Sequence, residues 1–92
     1  MNRAAKGRRR EYQSAELLRA EGFNVIRAAA SKGAFDLVGI GQSEIVLIQC
    51  KANAWPGPAE CERLKAFSAP ANARRLIHRW DDGASAPKVR EL

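Results

Sequence analysis

Three polar side chains stand where the hydrophobic pattern calls for apolar ones. Asp36 interrupts a run of Phe35, Leu37, Val38 and Ile40, although aspartate is depleted in strands. Gln49 and Lys51 close the apolar run Ile45–Ile48, and their alternate positions put them on one face of a strand. Glu11 stands one helical turn before Ala15 and two before Leu18, so in a helix it projects along the apolar stripe. Singly, each has an ordinary reading: Asp36 as a turn residue, Lys51 as a strand-end amine reaching water, Glu11 as plain helix surface. Jointly, they point to one place. If the strands carrying Asp36 and Gln49 pair, Asp36 meets the Gln49/Lys51 face at one end of a sheet, and Glu11 reaches that end from a packed helix. Oxygen donors from Asp36, Gln49 and Glu11 suit magnesium, which takes one or two carboxylates and keeps water for a substrate phosphate. A lysine beside them would orient or deprotonate the attacking water and offset charge developing on the phosphorus.

The elements that must hold these residues are legible. Good helix formers dominate from Arg8 to Glu21, with Ala15, Leu17 and Leu18 apolar, and Gly22 ends the helix. FNVIRAAA predicts a first strand, with Phe23, Val25 and Arg27 on one face. AFDLVGI predicts a second and IVLIQCKA a third, whose β-branched run suits burial on both faces. Pro56, Gly57 and Pro58 break the chain before a second helix, PAECERLKAF, with Cys61, Leu64 and Phe67 on one stripe. ARRLIHRW predicts a fourth strand and, after a turn at Asp82-Gly83, a short fifth follows. The order αβββαββ predicts an α/β domain with a central mixed sheet flanked by helices.

Length and charge set the bounds. A chain of 92 residues makes one domain with a thin stability margin, which association would help. Sixteen Lys and Arg against ten Asp and Glu leave +6, a field that favours a polyanionic partner. Arg3, Lys6, Arg8, Arg9 and Arg10 fall within residues 1–10 with no acid among them, which predicts either a mobile basic arm or a helix entry. These cations, with Arg27 and Lys32, flank the expected site and would meet a phosphate backbone entering it. Cys50 and Cys61 make no disulfide framework, His78 has no partner for a zinc site, and no apolar run approaches a membrane span. A soluble protein of a reducing cytoplasm is expected.

Phe35-Asp36 on one strand, then a turn and an apolar strand ending Gln49-Cys50-Lys51, resembles the split signature of the PD-(D/E)XK nucleases. More narrowly, EYQSAELLRAEGFNVIRAAASKGAFDLVGI with VLIQCKAN is similar to the archaeal-type Holliday junction resolvases, which also occur in viruses. The likeness runs from about Lys6 to Asn53, and ERLKAF is similar to the next helix. The resemblance implies a restriction-endonuclease-like fold over residues 1–92. It also implies a magnesium-dependent endonuclease, with manganese able to substitute, that cuts four-way DNA junctions as a homodimer in the cytoplasm of a cell or of a virus's host. Glu11 matches the family's helix glutamate, Asp36 its metal-binding aspartate and Lys51 its catalytic lysine. Ser31 matches a serine used near the scissile phosphate, Arg27 a basic position of the preceding strand, and the Cys50 carbonyl a backbone metal ligand. Gln49 departs from the pattern, for the family has Glu or Asp there; an amide keeps one oxygen and loses a full charge. Another small nuclease cutting flaps, nicks or duplex remains an alternative, as does a non-catalytic nucleic-acid-binding module on the same fold. Leu76, Ile77, Trp80, Val89, Leu92 and Trp55 are candidates for a dimer surface, with Leu76 and Ile77 favoured as core.

Overall fold

A computed structural model describes residues 3–28 and 34–92, with side chains from residue 7 onward. Its elements are α1 (Arg3–Ala20), β1 (Asn24–Arg27), β2 (Leu37–Ile40), β3 (Ile45–Ala52), α2 (Pro58–Ala66), β4 (Ala73–Trp80) and β5 (Lys88–Glu91). The five strands lie in chain order across one sheet. β1–β2, β2–β3 and β4–β5 pair antiparallel, and α2 carries the chain over so that β3 and β4 run parallel. This is the mixed α/β sheet expected.

α1 starts at Arg3, five residues before the expected Arg8, so the basic residues occupy its first turns. Alanine, arginine and lysine are good helix formers, no proline falls between Arg3 and Arg8, and the helix tolerates Gly7 at a cost of about 1 kcal/mol. At the other end Gly22 adopts φ 98°, a left-handed conformation that suits glycine. Its N–H donates to the Arg19 carbonyl and that of Phe23 to the Leu18 carbonyl, which turns the chain back under the helix. Phe23 and Leu18 then pack together on the sheet. They come down over Gly39, where a Cβ would stand 3.0 Å from Val46 and 3.3 Å from Leu18.

Two apolar clusters cover the two faces of the sheet. On the α1 side Ala15 and Leu18 meet Leu37, Val46, Ile48 and Leu76, with Phe23, Val25 and Cys50 at the margin. On the α2 side Leu64, the buried residue of α2, meets Phe35, Leu47 and Ile77, with Val38, Trp55 and Leu92 around them. Leu76, Ile77 and Trp80 are core, which removes them from the candidate dimer surface, while Val89 is exposed. α2 reaches only the middle of its face. Ile26 opposite Val38, and Ile40 two residues along from it, stay exposed beyond the helix, as does Phe67 at its end.

The second strand is shorter than expected. Asp36 lies just before β2, where the ladder slips: Leu37 faces Ile48, yet the Asp36 N–H also donates to the Ile48 carbonyl at 2.9 Å. This one-residue slip breaks the alternation of side chains. Phe35 consequently packs on the α2 side, leaving Asp36 as a buried carboxylate at the end of the strand.

Candidate active site

β3 is the strand on which the site is built. Its parallel partner β4 and antiparallel partner β2 bury its apolar middle, and its last residues, Gln49 to Ala52, emerge half-buried to exposed. Asp36 reaches this end through its side chain: Oδ2 accepts the Cys50 backbone N–H at 2.9 Å. Glu11 arrives from α1 and pairs with Arg27 of β1, Nη1 to Oε1 3.0 Å, while the Arg27 guanidinium lies 4.9 Å over the Tyr12 ring. The Glu11 hydrogen bond strengthens the charged form of Arg27 and raises its pKa.

Cys50 reports how the charges gather. Burial first, then the nearby carboxylates of Asp36 and Glu11, push its thiol up to about 12, against the opposing hydrogen bond with Ser14. Asp36 accepts the Cys50 N–H and Glu11 shares a cleft with Cys50, so carboxylates from two parts of the chain approach one β3 residue. Glu11, Cys50 and Lys51 line a cleft of about 420 Å³ together with Gly7, Arg10, Ala52 and Asn53; Asp36 and Gln49 lie outside its lining. Gln49 is half-buried, faces Ile77 across the β3–β4 pair and shares its sheet face with Lys51. Lys51 donates from Nζ to Glu60 Oε1 of α2 at 3.0 Å, and the second Glu60 oxygen lies 3.6 Å from Arg63.

Of the expected DNA contacts, Arg8 and Arg9 are exposed on the first turns of α1, where they line a shallow groove with Tyr12, Gln13 and Glu16. Arg10 is turned inward. It is 5% exposed, its guanidinium lies 4.9 Å over Trp80, and it donates to the Gln13 side chain and the Asp81 carbonyl at 3.0 and 3.1 Å. The helical turn that presents Arg8 and Arg9 to solvent presents Arg10 to β4. Ser31 and Lys32 lie outside the described residues.

Two features escaped the sequence reading. The first is Glu60, an ordinary first-turn helix acid whose contact with Lys51 depends on how the chain folds back after Pro56. The second is a buried polar knot between α1 and β4. The Ser14 Oγ is 2.9 Å from His78 Nδ1, accepts the Trp80 Nε1–H at 2.9 Å, and lies 3.5 Å from the Cys50 Sγ. Its signal was present, since Ser14 stands one turn before Leu18 on the same stripe as Ala15. His78, expected to be without a partner, is held there, and burial lowers its pKa to about 4.

A model of the archaeal Holliday junction resolvase (Hjc) family matches residues 2–78. The chain belongs to that family. As an archaeal-type resolvase it is a nuclease, its substrate is the four-way DNA junction, and the family's chemistry is metal-dependent. Its fold is similar to that of Archaeoglobus fulgidus Hjc, a Holliday junction resolvase from an archaeal hyperthermophile. The TM-score is 0.69 at 22% identity over 91% of this chain and 72% of that one. No curated protein sequence matches the chain. Among the described residues no helix is long and apolar enough to cross a membrane.

Proposed function

We propose that this resolvase cuts four-way junctions as a magnesium-dependent, dimeric endonuclease whose site is the end of β3. The observation that carries the reading is geometric: Asp36 accepts the Cys50 N–H, and Glu11 lines one cleft with Cys50 and with Lys51, one residue further on. Among the described residues no three His, Cys, Asp or Glu side chains form a cage. Magnesium is served by one or two carboxylates and otherwise by water and phosphate, so the donors present suit it. Asp36, Glu11, the Gln49 amide oxygen and the Cys50 carbonyl would hold the cation, with manganese able to replace it. When bound, the cation supplies Lewis-acid stabilisation of phosphate charge and a more acidic water.

The protein's own groups do the rest. Lys51 Nζ is directed by Glu60 and offsets charge developing on the phosphate. Arg27 pairs with Glu11 beside the cleft and, with Ser31, is assigned to position the backbone near the cut. Arg8 and Arg9 grip phosphates at the start of α1, Lys32 is assigned to the same task, and Arg10 forms part of the cleft wall. Such contacts select shape over sequence. Cutting two symmetric strands calls for two copies of the chain. Ile26, Ile40 and Phe67 offer exposed apolar surface for that contact, and a cytoplasmic location belongs to the same reading.

The test is cleavage of a labelled four-way junction, a flap and a duplex, with magnesium and with EDTA. Paired symmetric nicks confined to the junction, absent with EDTA, are expected. Equal cutting of the duplex would make the chain a general nuclease, and junction binding with no product at any metal concentration would overturn the enzyme reading. Asp36→Asn and Lys51→Ala should each lower cleavage about 100-fold or more while junction affinity persists. Unchanged cleavage in either variant would refute the site.

A further inference from the structure

The sheet register sets three cations side by side at the end of the site. Lys51 faces Arg79 across the parallel β3–β4 pair, and Arg79 faces Lys88 across β4–β5. Cross-strand neighbours share a face, so all three lie on the α2 side, where Ile77 of the same β4 face meets Leu64. Neighbouring strands are about 4.8 Å apart, so the row crosses about 10 Å, close to the rise of three nucleotides in one DNA strand.

An aromatic ring lies beside the row. Trp55, half-buried in the loop before α2, has the Arg90 guanidinium 4.1 Å and that of Arg79 5.5 Å from its ring centroid. Arg90 faces Ile77, one step along the same sheet face. Two carboxylates temper these charges: Asp81 pairs with Arg79 at 2.8 Å and Lys88 at 3.2 Å, and Glu60 pairs with Lys51. Lys51, Arg79, Lys88 and Arg90 outnumber them, and Lys88 and Arg90 are exposed, so the strip remains positive on the side open to solvent.

We propose that this strip, running from Lys51 through Arg79 to Lys88 and flanked by Arg90 and Trp55, carries the phosphate backbone of a junction arm away from the site. The proposal rests on the resolvase reading. It assigns to β4 and β5 a binding task separate from that of the cations at the start of α1. A sheet-borne row is fixed by backbone pairing, so its cations stay in line without a ligand. Arg74 provides the internal control: it is exposed on the same β4 but on the opposite face, tied to Glu91 at 3.0 Å.

The experiment measures junction affinity over a salt series for the full chain and for Lys88→Ala, Arg90→Ala, the double variant, Arg74→Ala and Asp81→Asn. The double variant should bind about tenfold more weakly and lose about two from the slope of log affinity against log salt, each single variant about one. Arg74→Ala should bind as the parent does, and Asp81→Asn should bind several-fold more tightly, an effect of opposite sign that loss of fold cannot mimic. A double variant with the parent's affinity and slope, or an effect no larger than that of Arg74→Ala, would overturn the proposal while parent cleavage still stood. A parent chain that bound no junction would overturn the resolvase reading and the strip with it.

Discussion

In the proposed site the chemistry turns on Gln49 and Glu60. With an amide at 49, the β3 face that carries the Lys51 ammonium has no carboxylate of its own, and the negative group touching that ammonium comes from α2. Glu60→Gln should therefore lower junction cleavage about tenfold and displace the pH–rate profile, with stability changed by less than about 1 kcal/mol because partly exposed pairs contribute little. Adding Gln49→Glu to that variant should restore part of the rate. Single-turnover cleavage across pH is the measurement, and identical profiles for parent and Glu60→Gln would reduce the pair to a surface contact. Asp36, Glu11 and Lys51 were legible in the sequence because a charge inside an apolar pattern is expensive and asks for a reason. Glu60 was not, because an acid in the first turn of a helix is the ordinary case and only the three-dimensional path from Ala52 to Pro58 gives it a partner.

At the scale of elements, the seam between α1 and β4 decides how well the site is held. Arg10 and Ser14, one turn apart on α1, fasten the helix to Trp80, His78 and the turn after β4, while Glu11 between them faces the cleft. Ser14→Ala would leave buried nitrogens of His78 and Trp80 without their partner. A loss of about 2 kcal/mol is expected, a fall of roughly 10 °C in the midpoint of thermal unfolding. A fall of under 2 °C or so would show that the knot adds little. The ends of β3 and β4 agree with the sequence expectation, since the apolar β-branched run of β3 and the alternating pattern of β4 are both bounded by turn residues. β2 did not, because the slip at Asp36 is fixed by hydrogen bonds to β3 and not by the local sequence.

For the whole molecule, His78 ties stability to pH. Burial holds its imidazole neutral in the fold, with a pKa of about 4 against 6.5 in an exposed chain, and its neighbours Ser14 and Cys50 are themselves neutral. Between those values the unfolded chain binds a proton that the native chain does not. Stability is accordingly complete above about pH 6.5 and falls as pH drops toward 4, by up to about 3 kcal/mol at 1.36 kcal/mol per pH unit. Urea midpoints from pH 8 to pH 4.5 should fall, and His78→Gln should flatten the curve. An equal slope in that variant would assign the effect elsewhere; Asp81 and Glu91 also have lowered pKa values, but they lose their contribution only below the ordinary carboxylate range. The same seam has a consequence for the order of events in a growing chain. Every candidate metal ligand lies between Glu11 and Lys51, in neighbouring elements that can pair as soon as they leave the ribosome. The fastenings of α1 to β4 close loops of 64 to 71 residues and must wait for β4 and the turn after it. On this reading a nascent chain assembles its acidic residues well before the strand that locks their helix in place, and remains unarmed until β4 has left the ribosome.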